Sequence, residues 1–365
     1  LGIDWESELE GFAESHQFLS PIQGPEAWTG SDMALLPSQW CHHWSSEEID
    51  EILNAIELVS RRGLDLLEIT RADFPLPTVS ARISYMRRYL LEGPGFYLFR
   101  GFSLDDLSLR EAALAFWGIG LYLGRPCSQN GKGHLLGHVK NLGLNYDDPL
   151  ARGYQTSARL PYHTDSSDLV GLLCWRPAKS GGMSSIVSST TVYNEVIKRS
   201  PEAMKVLLRP FYRTRWGEIP EGKEPWAEVP IFMPHAGRVI SHYVRSAIRK
   251  GQLLPGAPPL TDEQTKALDL IDEIANEEGI NLKMIFQPGD MQFVCNHFTW
   301  HSRTAFEDTE LVENRRHLLR LWLACSDGPS LPSWMTNSYE GVTEDGRPNG
   351  IQVPGVPLIA PLEAE

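Results

Sequence analysis

His163-Thr164-Asp165-Ser166-Ser167-Asp168 leads directly into Leu169-Val170-Gly171-Leu172-Leu173-Cys174-Trp175. The second half is a short, nearly unbroken apolar run after a polar loop, which reads as a buried strand. The first half therefore stands at one end of that strand, where a barrel or sandwich places its mouth. Upstream, residues 131–168 are loop-rich and carry Gly, Asn, Asp, Tyr and three histidines. Residues 96–102 (FYLFRGF) form an aromatic-rich run between glycines, a second good strand. Further short apolar or alternating runs occupy 184–189, 229–234, 238–243, 282–286, 291–295 and 317–323.

Helices are signalled between these runs. Ser45 caps a stretch in which Ile49, Ile52, Leu53, Ile56 and Val59 recur at helical spacing until Gly63. Residues 78–91, 108–123, 191–208 and 262–277 read as further helices, the last capped by Thr261. Many short strands with long insertions predict a mainly β fold with α insertions, a β-sandwich or jelly-roll core flanked by helices. The expected organisation is an irregular N-terminal segment over 1–45, a single catalytic domain over 46–330 and a C-terminal extension over 331–365.

Composition narrows the class. The 365 residues are 42% hydrophobic and 22% charged, the balance of an ordinary globular protein. No stretch is apolar for long enough to span a membrane. A formal net charge of −14 argues against nucleic acid or an anionic membrane as partner, since both present phosphate. Cys41, Cys127, Cys174, Cys295 and Cys325 are odd in number and widely spaced, which fits buried thiols in a reducing, cytoplasmic setting. A small-molecule substrate is the expected partner, and a homo-oligomer is compatible with the sequence.

His163-Thr164-Asp165 is the only His-x-Asp in the chain. Two histidines and one carboxylate on one face hold Fe(II) in non-heme oxygenases and leave the opposite positions open. By itself the tripeptide is close to chance, and a capping Asp beside a surface His is the favoured explanation. Its position before the buried strand favours the metal. The second histidine comes from the segment running from Asn296 to Phe306, which holds both His297 and His301. His301, beside Arg303 and ahead of a basic strand, is the preferred ligand, with His297 its competitor. A zinc helix of the HExxH kind lacks its glutamate here.

The basic strand is Arg315-Arg316-His317-Leu318-Leu319-Arg320-Leu321-Trp322. Side chains alternate along a strand, so Arg316 and Arg320 face the same side as Leu318 and Trp322. Two arginines on an apolar face are costly unless an anion lies opposite, and guanidinium forks suit carboxylates.

These pieces resemble the taurine / 2,4-dichlorophenoxyacetate dioxygenase family of Fe(II)/2-oxoglutarate-dependent oxygenases, in the clavaminate-synthase-like superfamily. The likeness rests on 96–102, the HTD at 163–165, Gly181-Gly182-Met183-Ser184, the segment with His301, and 315–322, in that order. It covers about residues 95–325, and the long N-terminal region resembles larger fungal-type members of secondary metabolism. The resemblance implies a double-stranded β-helix and a reaction consuming 2-oxoglutarate and O2, with hydroxylation the default outcome and desaturation or ring closure as variants. It implies that Fe(II) sits on His163, Asp165 and His301, that Arg316 grips the distal carboxylate of 2-oxoglutarate, that Ser184 assists where the family often has Thr, and that Arg320 lies close to the co-substrate or an anionic substrate group. Extra residues around 307–314 lengthen the link between His301 and Arg316.

In the loop-rich stretch His138, Lys140, Tyr146, Arg159 and Tyr162 are candidate substrate contacts, suited to a small carboxylate or amino acid. Each could equally be a solvated loop side chain. Trp216, Trp226 and Trp300 read first as core. Two rival functions stand beside the oxygenase: a cupin-like metal hydrolase or isomerase, which needs no dicarboxylate clamp, and a non-catalytic scaffold that kept the barrel.

Overall fold

The structure is a computed structural model that describes residues 19–148, 150–219, 222–332, 335 and 346–364. Among these, seven strands form a major sheet in the order Cys41–His43, Phe96–Arg100, Met291–Cys295, Leu169–Arg176, His317–Ala324 and Arg125–Cys127, with Leu136–Lys140 also paired to His317–Ala324. Only Cys41–His43 runs parallel to its neighbour; the other pairings in this sheet are antiparallel. A minor antiparallel sheet has the order Leu282–Met284, Ser184–Ser188, Thr299–Arg303, Leu160–His163.

The period of two decides what each sheet face meets. Val170, Cys174, Val294, Leu318 and Trp322 of the major sheet pack in one core with Ile186, Leu282 and Met284 of the minor sheet. Their alternates Leu169, Leu173, Phe293, Leu319 and Leu321 join Ile52, Ile83, Met86 and Phe116 from the helices Ser46–Arg62, Val79–Leu91 and Leu109–Leu123. Outside the minor sheet, Val187 and Trp300 pack with Tyr193, Val196, Leu268 and Ile271 of Ser189–Arg199 and Asp262–Asn276. The result is a jelly roll with helices on both outer faces, the architecture that the strand pattern implied.

Local signals account for the helix ends. Ser45 and Glu48 form a reciprocal capping box, and Gly63 closes the same helix at φ 65°. Ser108 with Glu111 and Thr261 with Gln264 repeat the device, each cap contributing about 1 kcal/mol.

Four stretches differ from the sequence reading. The helix expected over 191–208 is two, Ser189–Arg199 and Pro201–Leu207, because Pro201 disfavours helical backbone at Ser200. The loop-rich stretch contains the strands Leu136–Lys140 and Leu160–His163, too short and too polar to announce themselves. Within the segment read as irregular, Gly30–Ala34 and Pro37–Trp40 are helical and Cys41–His43 is a strand, while Trp28, Met33 and Trp40 enter the inter-sheet core. Residues 346–364 return to the barrel, with bridges Ser128↔Gly350 and His134↔Ile359. Residues 1–18 lie outside the described chain. Among the described residues no helix is long and apolar enough to cross a membrane.

Candidate active site

The strands Leu160–His163 and Thr299–Arg303 pair so that His163 stands opposite His301, with a register irregularity just beyond, between His301 and Arg303. Irregularities of this kind re-aim side chains beside active sites. The two imidazole centroids lie 4.2 Å apart. Asp165 follows on the loop, its backbone N–H donating to Asn296 Oδ1 at 3.0 Å, while Asn296 Nδ2 donates to the Ser167 carbonyl at 2.9 Å. One ligand atom from each of His163, Asp165 and His301 lies within 4.8 Å of the others.

The protonation state suits a cation. The Pro161 carbonyl can only accept, so His163 Nδ1 carries the proton in their 2.8 Å contact and Nε2 keeps its lone pair. Burial pushes His163 below its ordinary range and, reinforced by His163, pushes His301 down to about 3. Burial would raise Asp165, but Arg320, His301, His163 and the Trp322 indole outweigh it and hold the carboxyl low. Two neutral imidazoles and one carboxylate are the forms that bind a metal. Trp322 Nε1 donates to Asp165 Oδ2 at 2.8 Å and Arg320 Nη1 lies 3.5 Å from the same oxygen. Such outer partners orient a ligating carboxylate.

Arg316 and Arg320 do face the same side. Arg320 Nε donates to Gln129 Oε1 at 2.7 Å, and its guanidinium lies over the Tyr154 ring at 4.6 Å. Arg316 is different: it is buried and its Nη1 has no hydrogen-bond partner among the described residues. Burial pushes it down to about 10. Gly182, at φ +67°, lets the backbone approach, since a Cβ there would stand 3.1 Å from Arg316 Nε. Ser184 is buried in register opposite Arg303.

Arg303 was not singled out by the sequence reading. It is buried, and its Nη2 donates to the carbonyls of Thr156, at 3.1 Å, and Ala158. Nε and Nη1 have no partner among the described residues. Burial, then Arg316, pushes it down to about 9. Both guanidiniums lie on Phe306, at 4.6 and 5.0 Å. The signal was available: Arg303 shares the strand parity of His301.

A cleft enclosing about 950 Å³, its open mouth included, lies against His163, Asp165, Arg320 and Trp322. Its lining among the described residues includes Arg152, Arg213, Arg215 and Arg245, with Tyr154, Trp216 and Ile351. Nothing local marks these as neighbours, because they come from separate loops and from the C-terminal segment. Trp216 holds a left-handed φ of 57°, uncommon for a bulky residue.

Most of the substrate contacts expected from sequence are not brought to this cleft. His138 is buried against His317, with 2.7 Å between His138 Nδ1 and His317 Nε2, and its Nε2 donates to the Pro361 carbonyl at 2.8 Å. Lys140 pairs with His317 in the sheet. Tyr146 lies beneath Arg249 and Lys250, and Arg159 reaches Asn276. These four are absent from the lining. Strand alternation and loop packing turn them elsewhere. Tyr162 adjoins the cleft, but its hydroxyl lies 2.5 Å from Ser185 Oγ and its ring belongs to the outer core. His297 binds Asp168, not the cleft. Trp300 is wholly buried, as a core residue.

Residues 62–322 match the family model described as taurine catabolism dioxygenase TauD, TfdA family. The chain belongs to this family. FR-33289 synthase of Streptomyces rubellomurinus is 30% identical over 332 residues, 90% of this chain and 97% of that protein. The taurine hydroxylase-like protein SAT17 of Stachybotrys chartarum is 29% identical over 291 residues, 76% and 73% of the two chains. A solved asparagine oxygenase, in complex with Fe(II), 2S,3S-3-hydroxyasparagine and succinate, superposes with a TM-score of 0.64 at 16% identity, covering 86% of this chain and 99% of that one. The TauD/TfdA protein described here is therefore an Fe(II)- and 2-oxoglutarate-dependent dioxygenase with the jelly-roll fold. Neither a cupin-like hydrolase nor a non-catalytic scaffold is needed to explain it.

Proposed function

We propose that His163, Asp165 and His301 hold Fe(II), that Arg316 with Ser184 grips the distal carboxylate of 2-oxoglutarate, and that the cleft presents an unactivated C–H of a small anionic or amino-acid-like substrate. When bound, the metal, 2-oxoglutarate and O2 supply the oxidation, releasing succinate and CO2, with hydroxylation as the default outcome. The chain supplies the rest. His163 and His301 offer neutral nitrogens, Trp322 and Arg320 keep Asp165 ionised and oriented, and the apolar inter-sheet core keeps water from the centre.

One observation carries the reading: the three ligand groups converge on one side of the inter-sheet space, and buried Arg316 in the same space has an unpartnered donor. A buried guanidinium without a carboxylate is costly, so its presence fits an anion that arrives with the reaction. The anionic substrate is supported by the cleft itself. Among the described residues five arginines line it against two carboxylates, Asp165 and Glu218, in a chain whose net charge is −14. An amino-acid-like substrate is supported by the asparagine oxygenase and its bound hydroxyasparagine.

The assignment is tested by mixing protein, Fe(II) and 2-oxoglutarate without oxygen. A weak visible charge-transfer band should form, and His163→Ala should lose it; retention of the band in the variant refutes the ligand set. Screening small carboxylates, amino acids and sulfonates for stimulated succinate release tests the substrate class. Stimulation only by bulky neutral compounds refutes the anionic cleft.

A further inference from the structure

The family match ends at residue 322, yet the cleft is not complete there. Gly350 and Ile351 form part of its wall. They belong to a strap that runs back along the barrel: Ile351 N–H donates to the Ser128 carbonyl at 2.8 Å, Leu135 N–H to Ile359 at 2.8 Å, and Ile359 N–H to Gly133 at 2.9 Å. The strap also sends one side chain inward. Arg347 is buried; its Nε donates to Asp168 Oδ2 at 3.1 Å, its Nη2 to Asp168 Oδ1, and its Nη1 to the Pro329 carbonyl at 2.7 Å.

Asp168 is fully buried, and two further donors converge on it: His297 Nε2 on Oδ1 and the Cys325 backbone N–H on Oδ2, each at 2.7 Å. The carboxylate thus ties together the strap, the segment before His301 and the end of the strand His317–Ala324. It also sits three residues after Asp165 on the same loop. The Asp168 carbonyl accepts from Asn296 N–H at 3.0 Å, and Asn296 Oδ1 in turn accepts from Asp165 N–H at 3.0 Å. An unbroken run of short contacts therefore leads from Arg347 through Asp168 and Asn296 to Asp165.

Removing the guanidinium would leave a buried carboxylate with, among the described residues, only His297 and the Cys325 amide as donors. A buried charge that loses its partner forces local rearrangement, and here the rearranging segment is the loop bearing Asp165.

We propose that Arg347 is a positioning residue for the metal-binding loop: its ion pair with Asp168 couples the C-terminal strap to the placement of Asp165, so that the strap both walls the cleft and sets affinity for a divalent metal. The metal half of this statement rests on the ligand set proposed above. The pairing of strap and loop does not.

The experiment titrates Co(II), followed by its visible absorption, into the full chain and into Arg347→Ala and Arg347→Lys. Backbone amide exchange across residues 163–170 and 347–351 is measured on the same samples. Arg347→Ala should weaken Co(II) binding at least about 10-fold, the size of a lost outer-sphere partner, and Arg347→Lys should recover part of it. Exchange should accelerate at 165–168 as well as in the strap. A folded Arg347→Ala with wild-type Co(II) affinity, or exchange faster in the strap alone, overturns the proposal. Should Arg347→Ala not fold, Arg347→Lys decides: wild-type affinity together with unchanged exchange at 165–168 overturns it. Failure of the wild type to bind metal at all would instead refute the ligand set, and the exchange measurement would still judge the coupling.

Discussion

Two clusters, each built around histidine and aspartate, lie side by side in this protein and do opposite things. His163 and Asp165 line a cleft, His301 stands against His163 behind them, and one ligand atom of each lies within 4.8 Å of the others. His297 and Asp168, only a few positions from His301 and Asp165, are sealed with the distant Arg347, and the Asp168 carboxylate accepts from His297, Arg347 and the Cys325 backbone. The histidine and aspartate types alone do not separate the two. Saturation does: a carboxylate whose acceptors are filled by its own chain holds the fold, and one with room for a cation is available for chemistry.

The largest effect that would break this comparison is expected in the open cluster. Asp165→Ala should lower succinate formation by more than about 100-fold, beyond the cost of a lost outer partner. The urea midpoint of its metal-free form should scarcely fall. A destabilised but active variant would reverse the roles assigned here. Next comes the sealed cluster. Asp168→Ala strips a buried Arg and a His of their acceptor and should cost about 3–5 kcal/mol of stability, read as a lower urea midpoint. An unchanged midpoint would deny it a structural role.

Arg316 and Arg347 sharpen the contrast, since one has an unpartnered buried donor and the other is bound to a carboxylate. Arg316→Met should weaken 2-oxoglutarate binding by about 2–5 kcal/mol, the range for truncating one partner of a buried charge pair. In the metal-free protein it should leave the melting temperature unchanged or raised, while Arg347→Met lowers it. Calorimetry with and without 2-oxoglutarate checks both.

The smallest effect concerns pH. His138 and His317 share one buried contact, faced by His134, Lys140, Arg176 and Arg316. Burial lowers His138, and burial with His138 pushes His317 down to about 3. A histidine lowered on folding contributes stability that is present above its unfolded pKa of about 6.5 and lost as pH falls through that value. Between pH 6.5 and 5 His317 should cost up to ~1.4 kcal/mol per pH unit, and His138 adds a cost of the same sign. The double variant His138→Leu/His317→Leu should flatten the dependence of the urea midpoint over this window; an identical slope would exclude the pair.

Much of the proposed site was legible beforehand because strand alternation and the placing of one tripeptide before a buried strand are local facts. Arg316 and Arg320 share a face by parity alone, and His163-x-Asp165 precedes a run too apolar to be anything but core. Arg303 was equally legible by parity, but its importance was not, since nothing in HSR tells how many of its donors find partners. His138 and Lys140 misled because their cationic character suited an anion, while the unrecognised strand Leu136–Lys140 carries them away from the cleft. The wall from Gly350 and Ile351 had no local sign at all.

By itself the sequence determined several helix caps, most strands of the core, the fold class and the residues proposed here to hold iron and a dicarboxylate. These follow from periodicity, from capping chemistry and from the cost of placing arginines on an apolar strand. Only the tertiary structure decided which histidine joins His163 and Asp165 and which is sealed, which arginines line the cleft, and that Gly350 and Ile351 complete its wall. Those outcomes depend on contacts between residues more than 100 positions apart, such as Asp168 with Arg347 at a separation of 179, and no local pattern encodes which distant donor fills an acceptor.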